Sequence, residues 1–146
     1  MFKSIVWATD GSEVADQALS LVQELAKEDG ASVTIVHVVE RLEGSGGIGQ
    51  PRRVDEEELQ QHFRDVTDQL KAAGIDATLK IKGDVGVRPA HEVVNAAKEE
   101  KADLIVAGTR GRHAISGLLL GSTTHRLLHI APCPVLVVPP SAGSAG

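Results

Sequence analysis

The sequence contains little cysteine and few aromatic residues, and its net charge is negative. Cys133 is the single cysteine, so no disulfide can form within the chain, which fits a reducing compartment. Trp7, Phe2 and Phe63 are the only aromatic side chains, too few for the stacking platforms that bind single-stranded nucleic acid. The net charge of −5 is opposite in sign to that of a groove that follows a phosphodiester backbone. We therefore expect no nucleic acid partner.

Long apolar runs are missing as well. No segment approaches the ~18 apolar residues that a membrane span needs. The first residues run directly into a strand-like segment, without the charged region and long apolar stretch of a signal peptide. These absences predict no membrane association and a cytoplasmic location.

Short apolar runs alternate with helical patterns over 146 residues, a length that suits one domain. Strands are predicted from β-branched and apolar runs at 5–8, 33–39, 77–82, 104–107 and 135–138. Apolar residues at helical spacing predict helices that begin near Ser12, Asp55, Pro89 and Ser122. Gly30 and Gly74 are expected to end the first two helices. This order predicts an α/β fold, a doubly wound, Rossmann-like parallel sheet with helices on both faces.

Two of the predicted strands have features of sheet edges. Residues 77–82 alternate with a period of two, which places Ala77, Leu79 and Ile81 on the inner side. Prolines flank residues 135–138 at both ends, which is typical of an edge strand. The domain is expected to span residues 1–140 and to be followed by a disordered tail at 141–146. The glycine-rich residues 43–51 predict a mobile loop or one that folds over a ligand.

The segment after the fourth strand carries the strongest chemical signal. It reads Gly108-Thr109-Arg110-Gly111, then nine residues, then Gly121-Ser122-Thr123-Thr124. Glycines let backbone amides approach an anion, and a helix that starts at Ser122 adds unpaired amides and the positive end of its dipole. Ser122 is expected to cap that helix, while Arg110 and Arg112 can add charge-assisted hydrogen bonds. The alternative is that these glycines serve only as turn residues.

The spacing Gly-x2-Gly-x9-Gly-Ser after an apolar strand resembles the nucleotide-binding signature of the universal stress protein family. The resemblance extends over residues 3–138 and includes residues 8–12, 35–38, 102–108 and 133–138. It implies a five-stranded sheet of order 3-2-1-4-5 and homodimers paired through strand Val135–Val138. For members that carry the glycine signature it implies an adenine nucleotide, ATP or AMP, as ligand.

The resemblance also implies a role for individual residues. Asp10 would lie at the ribose or hold Mg²⁺ with Thr9 beside it, although Asp10 could also cap the first helix. Val38 would line the adenine pocket with Ala8 and Ala107. The residues that would hold the phosphates are Gly108, Arg110, Gly111, Gly121, Ser122 and Thr123, with Thr124 adjacent and Thr109 and Arg112 in the same binding segment.

The remaining polar clusters are expected to be structural. His37 should be a hydrogen-bonded core histidine rather than a catalytic base. His125 and His129 lie one turn apart without the glutamate of a zinc protease motif, and they are expected on a solvated surface together with His91. The acidic residues 55–58 are expected to complement a helix N-terminus. Cys133 should be a small buried hydrophobe.

No lysine-containing phosphate loop, nucleophile elbow or poised carboxylate pair occurs in the sequence. We therefore expect an adenine-nucleotide-binding stress-response module that responds to its nucleotide, without catalytic residues. Two alternatives are a slow ATPase of the same fold and a dimeric scaffold whose assembly does not depend on nucleotide. ATP, AMP and cyclic AMP all stay open as ligands.

Overall fold

The computed structural model describes residues 1–9, 18–39, 56–83, 87–109 and 120–139. Within these ranges five parallel strands form one sheet of order β3-β2-β1-β4-β5. The strands are β1 (Ser4–Thr9), β2 (Ser32–Val38), β3 (Ala77–Lys82), β4 (Leu104–Gly108) and β5 (Val135–Val138). The helices are α1 (Ala18–Asp29), α2 (Glu56–Ala72), α3 (Pro89–Glu99) and α4 (Ser122–Ile130). The predicted doubly wound fold and strand order are confirmed.

Alternation along the strands gives the sheet two apolar faces, because successive side chains point to opposite sides. The first face packs against α1 and α2, where Trp7 and Phe63 are fully buried. The buried strand residues of this face are Ile5, Trp7, Val33, Ile35, Ala77, Leu104 and Val106. The predicted helix stripe is confirmed, since these residues of α2 are all buried: Leu59, Phe63, Val66 and Leu70.

The second face packs against α3 and α4. Its buried strand residues are Val6, Val36, Ile105 and Ala107. The residues predicted to face inward from α3 are all buried: Val93, Val94, Ala96 and Ala97. Leu127 of α4 is also fully buried, whereas the next residue, Leu128, is 48% exposed. Because α3 contributes small side chains, its backbone can lie close to the sheet.

The helix ends follow the predicted glycine and proline positions. Gly30 and Gly74 follow α1 and α2 in the left-handed region, with φ of +67° and +85°, which glycine adopts without a steric penalty. Pro89 occupies the first turn of α3, where its missing amide hydrogen costs no hydrogen bond. The predicted start of the first helix at Ser12, the loop at 43–51 and the tail at 141–146 lie outside the described residues.

The predicted alternation in β3 is wrong at its carboxyl end. Ala77 is buried, but Ile81 is 37% exposed, because an edge strand has one neighbouring strand, here β2, and loses cover towards its end. The side chain of Lys80, predicted on the outer side of the strand, is only 20% exposed. Its ammonium group lies 2.8 Å from a carboxylate oxygen of Glu99 and 2.6 Å from one of Glu100, so ion pairs tie this edge strand to the end of α3.

Candidate functional site

The strand order reverses between β1 and β4, and their carboxyl ends lie side by side. Ligands of doubly wound sheets bind outside this point. Ala8 of β1, Val38 of β2 and Ala107 of β4 all belong to the face covered by α3 and α4. The three residues assigned to an adenine pocket therefore share one face at the carboxyl ends of three neighbouring strands. Thr9, on the opposite face, is buried at the end of β1.

Two hydrogen bonds join the halves of the glycine motif. The Gly121 amide donates to the Thr109 carbonyl oxygen at 2.8 Å. The buried Thr124 hydroxyl donates to the Gly108 carbonyl oxygen at 2.7 Å. The segment that follows β4 and the segment that opens α4 are thus in direct contact, as the sequence predicted.

The same hydrogen bonds correct the assignment of individual groups. The Gly121 amide and the Thr124 hydroxyl proton are donated within the protein, and the Thr109 amide donates to the Val138 carbonyl at 3.1 Å. A backbone or hydroxyl donor in a buried position needs a partner, and here the protein itself supplies it. These groups fix the geometry of the motif, and other donors remain for a ligand.

The start of α4 supplies such donors. Gly121, not Ser122, is the N-cap: its backbone is extended and its carbonyl accepts the first intrahelical bond, from the His125 amide at 2.9 Å. The predicted capping role of Ser122 is therefore wrong, because the helix begins at Ser122 itself, one residue earlier than that role requires. Ser122 and Thr123 lie in the first turn, where amides have no acceptor within the helix. Ser122 is exposed and Thr123 is half-buried.

A shallow pocket of about 150 Å³ adjoins this helix start. Its walls come from the first turns of α3 and α4 and from two arginines, and no acidic residue lines it. The lining residues are Arg88, Pro89, Ala90, His91, Ser122, Thr123 and Arg126. Sequence reasoning assigned no role to Arg88 or Arg126, although Arg126 follows Ser122 by four residues and so shares its helix face.

His91 is half-buried rather than on the open surface as predicted. Its Nδ1 atom is inaccessible to solvent and has no hydrogen-bond partner in the part of the chain that the structure describes. His91 lies in the first turn of α3 and is one of the residues that line the pocket.

A buried histidine–glutamate pair lies at the carboxyl end of β2. His37 Nε2 lies 2.8 Å from Glu56 Oε1, and both side chains are 3% exposed. Gln60 also donates to this carboxylate, at 3.2 Å, and the His37 ring packs against Phe63 with centroids 4.9 Å apart. The prediction of a hydrogen-bonded core histidine is confirmed. Glu56, expected only to complement a helix start, is instead buried as the histidine's partner, whereas Glu57 and Glu58 are exposed.

Several predicted site residues lie outside the described ranges, namely Asp10, Arg110, Gly111 and Arg112. The predicted ribose or Mg²⁺ contact of Asp10 therefore stays a prediction. Among the described residues no group of three or more potential metal ligands occurs. His125 and His129 are exposed on α4, as expected, with ring centroids 4.9 Å apart.

Cys133 is half-buried against the second apolar face rather than fully buried. Burial raises the pKa of its thiol, and the negative charge of Asp103 raises this pKa further. Both effects favour the neutral thiol over the reactive thiolate.

None of the helices in the described ranges has the length and apolar character needed to cross a membrane.

Comparison with known proteins yields relatives over nearly the whole chain. The "universal stress protein in QAH/OAS sulfhydrylase 3′ region" of Thermus aquaticus is 37% identical over 141 residues, which cover 94% of this chain and 99% of the relative. The universal stress protein MJ0531 of Methanocaldococcus jannaschii is 36% identical over 150 residues, covering 94% of this chain and 82% of the relative.

Solved structures similar to this one also cover nearly the whole chain. The structure of the hypothetical protein MJ0577 has a TM-score of 0.79 at 27% identity and covers 97% of this chain and 98% of its own. A universal stress protein in complex with cAMP has a TM-score of 0.68 at 26% identity, covering 96% of this chain and 98% of its own. The family model described as the universal stress protein family matches residues 1–139. The strand order and the contact between the two halves of the glycine motif agree with this match. This chain belongs to the universal stress protein family.

Proposed function

We propose that this protein binds an adenine nucleotide at the carboxyl ends of β1, β2 and β4, with its phosphates at the start of α4. The observation that carries the proposal is the contact between the two halves of the glycine motif, made by Gly121 with Thr109 and by Thr124 with Gly108. The similar protein solved with cAMP supports the class of ligand.

The described residues suit the two ends of such a ligand. Ala8, Val38 and Ala107 form an apolar group on one face of the sheet, which suits an adenine ring. At the other end, Ser122 and Thr123 offer first-turn amides and hydroxyl groups to an anion. We assign Asp10 to the ribose or Mg²⁺, and Arg110, Gly111 and Arg112 to the phosphates, on the family resemblance.

Replacement of Thr124 by valine tests the proposal. Thr124→Val keeps the shape of the side chain but removes the hydroxyl that holds the Gly108 carbonyl. Because an unpaired buried carbonyl costs roughly 1–3 kcal/mol and releases the motif, we expect AMP affinity to fall about tenfold. The measurement is isothermal titration of the purified protein with AMP, ATP and cyclic AMP.

Thr67→Val is the matched control. Thr67 is likewise buried, and its hydroxyl donates at 2.7 Å to the Phe63 carbonyl within α2. Both variants should lose stability, but only Thr124→Val should lose nucleotide affinity. A wild-type protein that gives no heat and no protection against melting with any of the three nucleotides would refute the proposed function.

We further propose that the bound nucleotide regulates the protein's contacts in a stress response and is not turned over. The described site residues support binding rather than turnover, since they offer amides, hydroxyls and guanidinium groups to an anion. A nucleotide released intact after purification, identified by mass spectrometry, is the expected result. Turnover above that of buffer, lost on Asp10→Ala, would instead establish the slow ATPase.

A second copy of the chain is the proposed partner of the β5 edge. The Pro134 and Val138 carbonyls accept hydrogen bonds from the amides of Ile105 in β4 and of Thr109, which follows it, at 2.9 and 3.1 Å. Backbone groups alternate in direction along a strand, so those of Val137 point away from β4. All residues of β5 are only half-buried, and an apolar edge of this kind is suited to pairing with another strand.

A further inference from the structure

Two helices begin at the same pocket. Pro89 opens α3 and Ser122 opens α4, and both first turns line it. Neither N-cap residue, Arg88 or Gly121, makes a side-chain capping bond to its helix. The first intrahelical bonds are donated only by the fourth residues of the two helices, so earlier amides have no acceptor within them. The positive ends of two helix dipoles therefore add to the field at this pocket.

Two arginines add full positive charges to the same walls. Arg88 precedes α3 and Arg126 lies one turn into α4, and both line the pocket. Within the described ranges no carboxylate forms an ion pair with either guanidinium group, although Lys80 and Lys82 are paired with glutamates elsewhere. Glu92 lies in the first turn of α3 but does not line the pocket. Like charges placed together without a counter-charge repel, and an anion relieves that repulsion.

The pocket is continuous with the proposed phosphate site, because Ser122 and Thr123 belong to both. We infer that Arg88 and Arg126 bind the phosphates beyond the first one, so that this protein selects adenine nucleotides by the length of the phosphate chain. The inference rests on the proposed nucleotide-binding function and makes nucleoside di- and triphosphates the preferred ligands. A guanidinium group binds two phosphate oxygens at once, and AMP and cyclic AMP have no second phosphate to offer.

Titration of a double variant tests the inference. The wild-type protein should bind ATP and ADP more tightly than AMP and cyclic AMP. In Arg88→Gln with Arg126→Gln, the ATP affinity should fall about tenfold or more, because two charge-assisted contacts are lost, while the AMP affinity stays the same. Raising the salt concentration should weaken wild-type ATP binding more than AMP binding, since these charges are exposed to screening.

Arg64→Gln is the matched control. Arg64 is exposed on α2, which covers the opposite face of the sheet, so this variant removes one positive charge away from the pocket and should bind ATP like the wild type. Thermal melting of all variants checks that they fold. Tripolyphosphate without adenosine should compete weakly with ATP, because it lacks the adenine contacts.

The outcomes separate the two proposals. The arginine inference is overturned if the wild type binds AMP as tightly as ATP. It is also overturned if the double variant still prefers ATP over AMP as strongly as the wild type does. In both cases the proposed nucleotide binding stands. Tripolyphosphate that binds as tightly as ATP would also overturn it, since the pocket would then be a general anion site. If neither AMP nor ATP binds to the wild type, the proposed function itself fails.

Discussion

At the scale of single residues, hydrogen bonds decide which groups of the glycine motif can meet a ligand. In the sequence, the amides of Thr109 and Gly121 and the hydroxyl of Thr124 are all donors within the glycine motif. In the folded chain all three are donated to carbonyl groups of the protein. The motif therefore has a supporting part, made by these groups, and the proposed phosphate contacts fall to the first turn of α4.

The buried His37–Glu56 pair gives a prediction at the same scale. Glu56→Ala leaves His37 Nε2 without its buried partner at 2.8 Å, so we expect the free energy of unfolding to fall by about 1–3 kcal/mol. Trp7 is fully buried and is the single tryptophan, so its fluorescence reports urea unfolding. The exposed neighbour Glu57 supplies the control Glu57→Ala, which should change stability little. Equal unfolding midpoints for the two variants would show that the pair does not stabilise the fold.

At the scale of elements, the edge strand β3 is tied to the end of α3 by charge. The hydrogen bonds from Lys80 to Glu100 and Glu99 raise the pKa of Lys80 above its ordinary value of 10.5. The same lysine holds the pKa of Glu99 below its ordinary value of 4.5. The contribution of Glu99 is thus present above pH 4.5 and lost as pH falls through its lowered pKa, and that of Lys80 is lost as pH rises through its raised pKa.

Lys80→Met should therefore lower the melting temperature at pH 7, by a small amount because the glutamates are exposed. The difference from wild type should shrink at an acid pH below the lowered pKa of Glu99, because a protonated carboxyl group no longer pairs with Lys80. Lys98→Met, on the exposed side of α3, is the control and should show no such pH dependence. A melting difference that is the same at both pH values would contradict the ion-pair account. Thermal scans across this pH range provide the measurement.

At the scale of the whole molecule, the outer edge of β5 leads us to expect a homodimer. Val137→Pro removes a backbone amide that points away from β4, so the β4–β5 pairing should survive while pairing with a second copy is lost. Light scattering should show a dimer for the wild type and for the control Val137→Ala, and a monomer for Val137→Pro. A wild-type protein that is monomeric at every concentration would rule out assembly through this edge.

Much of this protein could be predicted from its sequence because the signals are local. Apolar runs of β-branched residues fix the strands, and Gly30 and Gly74 stand where the chain must adopt positive φ, so α1 and α2 end there. The alternation of the elements leaves few topologies for a parallel sheet with right-handed crossovers. The spacing of the glycine motif, with its strand before and its helix after, also predicted that the segment after β4 and the start of α4 lie together, and two hydrogen bonds join them.

Only the tertiary structure decided which distant groups meet. Glu56 becomes buried because α2 places it against His37, and no local pattern distinguishes it from the exposed Glu57. Arg88 and Arg126 line one pocket because α3 and α4 start at the same place, although 37 residues separate the two in sequence. Local preference sets the conformation of a segment, whereas burial, charge partners and free donors depend on which segments pack together, and packing is a property of the folded chain as a whole.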